Sequence, residues 1–143
     1  MEQGTIRTII IDDEKKARET IIGILGLYCK NAVVVAEAES VLSAAEAIKK
    51  YRPDLVFLDI NMPGGSGFEL FNQFSLSEFK TVFITAYEEY AVKAFKFSAL
   101  DYLLKPVNPD ELIMAVNKVQ SSMEKESIEV KLKTFIDNME NIT

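Results

Sequence analysis

The chain has no histidine, one cysteine (Cys29) and no apolar run longer than a strand. Without histidine, any chemistry that needs an imidazole as base, metal ligand or phosphate carrier must take it from another protein. A single cysteine excludes an intramolecular disulfide and suits a reducing cytoplasm. Strand-sized apolar runs exclude a membrane-spanning helix, and the N-terminus carries no apolar core of signal-peptide length. Basic charge is also short. There are 16 Lys and Arg against 22 Asp and Glu, a net charge of −6. That argues against binding to nucleic acid by this chain itself, which takes a basic face. What is present, over 143 residues, is 48% hydrophobic and 27% charged. This is the mix of one globular domain with a real core.

Five apolar runs alternate with five stretches of helical period. Thr8 to Ile11 is β-branched throughout and ends in Asp12-Asp13. Glu14 to Tyr28 follows, with Ala17, Ile21, Ile24, Leu25 and Tyr28 on one face. Ala32 to Ala36 is a second strand. The next helix runs to about Lys50, opened either by Ser43, spaced from Glu46 as in a capping box, or by Ser40. Pro53 ends it. Leu55-Val56-Phe57-Leu58 is a third strand that stops at Asp59, before a turn marked by Pro63, Gly64 and Gly65. Ser66 or Gly67 opens a third helix carrying Phe68, Leu70, Phe71 and Phe74. Thr81 to Thr85 is a fourth strand, Tyr87 to Phe97 a short helix, and Leu100 to Leu104 a fifth strand closed by Lys105-Pro106. Pro109, Asp110 and Glu111 start a fifth helix with Leu112, Ala115, Val116 and Val119 inside. Strict alternation predicts an α/β fold of flavodoxin-like, doubly wound type: a five-stranded parallel sheet in the order 2-1-3-4-5 with helices on both faces.

In that order strands one, three, four and five are neighbours, and their carboxyl ends lie on one edge. Those ends supply Asp12 and Asp13, Asp59, Thr85 and Lys105. Strand two ends in Glu37 or Ala38 and adds nothing obvious. Each residue also has a plain reading: Asp12-Asp13 as a helix cap, Asp59 as a turn residue, Thr85 as an ordinary strand end, Lys105 as a solvated lysine before proline. Coincidence on four neighbouring ends is the weaker account. Three carboxylates that repel one another call for a divalent cation, and oxygen donors without Cys or His favour magnesium or manganese. Lys105 and Thr85 suit phosphate oxygens, and a carboxylate nucleophile forms an acyl phosphate.

The motifs Ile11-Asp12-Asp13-Glu14, Leu58-Asp59-Ile60-Asn61-Met62-Pro63, Ile84-Thr85-Ala86-Tyr87 and Asp101-Tyr102-Leu103-Leu104-Lys105-Pro106 resemble the receiver domain of two-component response regulators. The resemblance covers roughly residues 6–121. The runs Thr85 to Phe95 and Ala99 to Pro106 are similar to the LytTR (LytR/AlgR) subfamily. The resemblance implies that Asp59 is phosphorylated by a partner histidine kinase. It implies that Mg²⁺ is held by the side chains of Asp13 and Asp59, by the Asn61 backbone carbonyl, and by Asp12 through water. Thr85 and Lys105 would meet the phosphoryl oxygens, and Tyr102 would be the switch aromatic, with a half-buried strand tyrosine as the plain reading. The Lys105-Pro106 bond would be cis. The face made by residues 87–97, the fifth strand and the fifth helix would be remodelled, favouring a homodimer. On this reading the chain is a cytoplasmic signalling phosphoacceptor that catalyses only its own phosphoryl transfer and dephosphorylation. DNA would be reached only through a C-terminal domain absent from this chain.

A different class uses the same kind of sheet: Mg²⁺-dependent phosphohydrolases resembling haloacid dehalogenases, with an Asp-x-Asp motif whose second Asp is a general acid. Here that position is Asn61, which cannot give a proton. A third reading, a receiver fold that has lost its chemistry, finds no support, because every position the chemistry needs is filled. Residues 1–121 are thus read as the receiver and 122–143 as a helical tail or linker. In the tail Ile128, Leu132, Phe135, Met139 and Ile142 repeat in heptad fashion. The step from Met123 to Ile128 is out of phase with the stripe Leu112, Val116, Val119 and Met123, so a kink or break is expected between Ser121 and Ser127.

Overall fold

The computed structural model describes residues 4–75, 77–90 and 99–140. Strand β1 (Ile6–Ile11) leads to helix α1 (Lys15–Tyr28), β2 (Ala32–Ala38), α2 (Val41–Tyr51) and β3 (Leu55–Asp59). Strands β4 (Lys80–Thr85) and β5 (Asp101–Leu104) follow, and α3 (Pro109–Glu140) closes the chain. The five strands pair in parallel, in the order 2-1-3-4-5. This is the expected flavodoxin-like, doubly wound sheet. Between β3 and β4, Asn61–Met62 and Gly65–Ser66 form a small antiparallel ladder, and Gly67–Asn72 is a 3-10 helix.

The apolar pattern divides the core in two. Ile6, Ile10, Leu55, Phe57, Val82, Ile84 and Leu103 meet Ile21, Ile24 and Leu25 of α1 and Leu112, Ala115, Val116 and Val119 of α3. On the other face Ile9, Ile11, Val56, Leu58 and Phe83 meet Ala44, Ala45 and Ile48 of α2, with Phe68 and Leu70. Successive residues alternate between the faces because strand side chains have period two. A continuous apolar run is therefore the mark of a strand covered on both sides. All five residues of β3 are buried.

Four expectations are corrected or sharpened. The third helix is 3-10 rather than α. Its aromatics are three apart, and side chains at that spacing eclipse in a 3-10 turn. Phe68 and Phe71 both reach Phe83, while Phe71 and Phe74 both reach Phe79. Helix α2 is opened by Ser40, whose Oγ accepts from the Ser43 N–H at 3.1 Å while the Ser40 N–H donates to Ser43 Oγ. The Ser43–Glu46 pair is not the cap. Of the helix expected from Tyr87 to Phe97, Glu88–Tyr90 forms a 3-10 turn, and residues 91–98 lie outside those described. The break expected between Ser121 and Ser127 is absent, since α3 runs unbroken to Glu140. Out-of-phase stripes force a kink only if both must bury on one surface. Here Leu112, Ala115, Val116 and Val119 are buried and the later stripe is left exposed. No Gly or Pro interrupts the stretch.

Candidate functional site

Parallel register brings the polar strand ends together. Ile11 lies opposite Leu58, Asp59 opposite Ile84, and Thr85 opposite Leu104. The residues that leave the sheet next, Asp12 and Lys105, therefore flank Asp59 and Thr85. Asp12, Asp59 and Thr85 are all buried. Asp13 is half-buried, while Glu14 and Asn61 are exposed.

Lys105 ties the group. Its Nζ lies 2.9 Å from Asp12 Oδ2, 3.3 Å from Asp59 Oδ2 and 4.0 Å from Glu14 Oε1. The other Asp59 oxygen, Oδ1, accepts from the Asn61 N–H at 3.1 Å. Burial pushes the Asp59 carboxyl up to about 6 and the Asp12 charge adds to this, while Lys105 and the Asn61 N–H pull the other way. For Lys105, burial pulls the ammonium down, but its carboxylate partners outweigh burial and hold it above its ordinary range. Thr85 Oγ1 accepts from the Tyr87 N–H at 3.1 Å, and the Thr85 carbonyl accepts from the Lys105 N–H at 2.9 Å. The Lys105-Pro106 peptide is cis, as the resemblance implied.

Asp12 is fastened by its surroundings. Its N–H donates to the Ala38 carbonyl and its Oδ1 accepts from the Glu14 N–H at 2.9 Å. Oδ2 is buried and, although close to Lys105, has no donor in hydrogen-bonding geometry. The carboxylates of Asp12, Asp13 and Glu14 come within 4.8 Å of one another. Three clustered carboxylates, oxygen donors only, fit a hard divalent cation. Asp59 is not in this acidic set, although it shares the Lys105 ammonium with Asp12. Of the anticipated ligands, then, Asp12 and Asp13 meet each other and Glu14, Asp59 meets the lysine, and Asn61 touches Asp59 through its N–H. Tyr102 lies opposite Phe83 and is half-buried against the cluster containing Phe68 and Tyr90.

Three supporting residues escaped sequence reasoning. Glu14 joins the acidic cluster, and only its adjacency to Asp13 pointed there. Arg18, one turn into α1, donates from Nη1 to the Asp12 carbonyl at 2.7 Å and from Nε to Glu37 Oε1 at 3.0 Å. Gly67 passes so close to Asp59 that a Cβ there would lie 2.3 Å from the Asp59 carbonyl oxygen. Its signal was a glycine just past a turn, which fixes no partner.

Chemically, the arrangement presents one carboxylate oxygen at the edge of the sheet. An ammonium lies against it, and the neighbouring strand ends in a hydroxyl.

Comparison with known proteins accords with this geometry. The family model described as the response regulator receiver domain matches residues 8–117. The chain is 35% identical over 130 residues to the sensory transduction protein LytT of Bacillus anthracis, covering 88% of this chain and 51% of that one. It is 38% identical over 122 residues to LytT of Enterococcus faecalis, covering 82% and 49%. The chain spans about half the length of these relatives. Among solved structures, it superposes on the REC domain of AraT, a response regulator from Geobacillus stearothermophilus. The TM-score is 0.77 at 34% identity, covering 86% of this chain and 98% of that one.

Proposed function

The chain belongs to the response regulator receiver domain family, and from that membership we propose that Asp59 accepts a phosphoryl group from a sensor histidine kinase. One observation carries the assignment. Asp59 is a buried carboxylate at a strand end, held through Oδ1 by the Asn61 N–H, with its Oδ2 facing the Lys105 ammonium. With no histidine of its own, the chain takes the phosphoryl group from the kinase's phosphohistidine. The P–N bond breaks, a P–O bond forms to the Asp59 carboxylate, and the imidazole leaves with the electron pair.

Asp12, Asp13, Asp59 and the Asn61 carbonyl are the groups that would hold Mg²⁺, which when bound supplies positive charge to the phosphoryl oxygens. The remaining work falls to the chain. Phosphorylation adds about one further negative charge with strong acceptor oxygens. Lys105, now shared between Asp12 and Asp59, gains a stronger partner. The Thr85 hydroxyl, which accepts from the Tyr87 N–H, still has its own proton to donate to a phosphoryl oxygen. Because the Thr85 carbonyl holds the Lys105 N–H, the two move as a unit. Their inward movement gives Tyr102 room to turn in, and the face formed by β5 and α3 is remodelled. A tenfold population shift needs about 1.4 kcal/mol of differential binding. One charge-assisted hydrogen bond, at roughly 1.5–3 kcal/mol, is enough.

The remodelled face favours a homodimer. On α3 it exposes Met114, and β5 is an edge strand. The aromatics Phe95 and Phe97, counted toward this face from sequence, lie outside the described residues. The chain is a signalling domain; the loss of the phosphoryl group by hydrolysis at the same site is its own reaction. We place it in the cytoplasm; no helix among the described residues is long and apolar enough to cross a membrane. Transcriptional output and DNA contact belong to a C-terminal domain of LytTR type, a reading supported by the LytT relatives and by the acidity of this chain.

The test is intact-mass measurement after incubation with a small-molecule phosphodonor and Mg²⁺. One phosphoryl group is expected on the parent chain and none on Asp59→Asn. Equal labelling of the variant, or labelling indifferent to EDTA, overturns the assignment.

A further inference from the structure

A bulge decides what the end of β2 can touch. Strand β2 pairs with β1 in parallel, Thr8 opposite Val34, but the register then slips by one residue, so that Ile9 meets Ala36 and Ile10 meets Glu37. Val34 packs with the core under α1, whereas Val35 and Ala36, two residues in succession, pack with the core under α2. Side chains alternate along a regular strand, so one extra residue reverses the face of everything after it. Without the bulge Glu37 would lie on the α2 face. With it, Glu37 stands opposite Ile10, which belongs to the α1 core.

On that face Glu37 meets Arg18. The Arg18 Nε donates to Glu37 Oε1 at 3.0 Å, and its Nη1 donates to the Asp12 carbonyl at 2.7 Å. The Arg18 side chain is 13% exposed, against 45% for Glu37, so the buried partner is the cation. A guanidinium is planar, and fixing Nε sets the direction of Nη1. The Asp12 carbonyl belongs to the planar peptide that joins Asp12 to Asp13. Holding that oxygen therefore fixes the plane from which Asp13 departs. The Ala38 carbonyl and the Glu14 N–H hold Asp12 itself, whereas Arg18 holds the peptide that follows. Glu14, at the start of α1, adds no side-chain cap to this bend.

We propose that Arg18, oriented by Glu37, is a positioning residue that keeps the Asp12 and Asp13 carboxylates set for Mg²⁺, a role that rests on the reading of this edge as the Mg²⁺ and phosphoryl site. Strand β2, whose end offers no ligand of its own, then serves the edge through this link. Partners that orient a metal ligand are worth about ten- to a hundredfold in affinity. Charge alone predicts the opposite sign. A nearby cation repels Mg²⁺, so removing the Arg18 charge would by itself tighten binding. The direction of the change therefore separates positioning from field.

Calorimetric titration of the whole folded chain with Mg²⁺ alone tests this without any phosphoryl chemistry. Arg18→Ala should weaken binding at least about tenfold. Glu37→Ala should weaken it by a smaller factor. Glu37→Gln loses the same charge but keeps an oxygen acceptor for Nε, and should stay near the parent. This pair keeps the comparison if Arg18→Ala does not fold. In labelling with a small-molecule phosphodonor, Arg18→Ala should need more Mg²⁺ for half its maximal rate yet reach the parent's rate at saturation, because Asp59 and Lys105 are untouched. Unchanged or tighter Mg²⁺ binding in Arg18→Ala, whatever its urea stability, overturns the proposal. So does a loss in Glu37→Gln equal to that in Glu37→Ala, or a parent chain that binds no Mg²⁺. A parent that binds Mg²⁺ but takes no phosphoryl group sinks the phosphoacceptor reading instead, and the Mg²⁺ affinities still decide the part played by Arg18.

Discussion

Replacing Asp59 by Asn should stabilise the metal-free chain near neutral pH. The Asp59 carboxyl is raised from 3.8 to about 6, first by burial and then by the Asp12 charge. A carboxyl raised on folding works against the fold once it ionises. Between the unfolded and folded values the native state binds more protons than the unfolded state, so stability falls as pH rises through that window. The interval is about two pH units at 1.36 kcal/mol each, so the cost reaches roughly 3 kcal/mol above pH 6 and shrinks to about 1 kcal/mol at pH 4.5. Asn is neutral, fits the same space and keeps an acceptor for the Asn61 N–H. In urea titrations with EDTA, Asp59→Asn should be more stable by about 3 kcal/mol at pH 7.5, or roughly 10 °C in Tm for a chain of this size. At pH 4.5 most of the gain should vanish. A variant less stable than the parent at pH 7.5, or a gain of the same size at both pH values, would refute the account of Asp59 as a strained, ionised carboxylate.

Two further outcomes follow from the geometry. Gly67→Ala places a Cβ 2.3 Å from the Asp59 carbonyl oxygen and 3.1 Å from Leu58 Cγ; it should cost about 1–3 kcal/mol by overpacking and slow phosphoryl labelling of Asp59, whereas Gly23→Ala, with open space around it, should do neither. Beryllofluoride with Mg²⁺ should tighten the dimer through β5 and α3, and sedimentation showing the same dissociation constant with and without the mimic would count against the switch.

Much of this protein could be read directly from its residues. Unbroken short apolar runs, β-branched in Thr8 to Ile11 and mixed in Leu55 to Leu58, read as strands covered on both faces. Their alternation with helical periods leaves few topologies, and the parallel order follows from right-handed crossovers. Because side chains at the carboxyl ends of neighbouring parallel strands must share an edge, Asp12, Asp59, Thr85 and Lys105 could be grouped without coordinates. What depended on the tertiary structure was which atom meets which. Lys105 has no signal in sequence that would divide it between Asp12 and Asp59, and Asp59 none that would set it apart from the cluster of Asp12, Asp13 and Glu14. Arg18 and Gly67 matter through backbone carbonyls, which carry no side-chain signature. Ser40 outcompetes Ser43 as a cap because the chain enters α2 extended at that residue. The direction of the Leu132 stripe was likewise undecided, since the same residues would have folded back had α3 broken. Spacing along a helix sets the angle between two faces, and only packing shows whether the helix stays straight enough for that angle to persist.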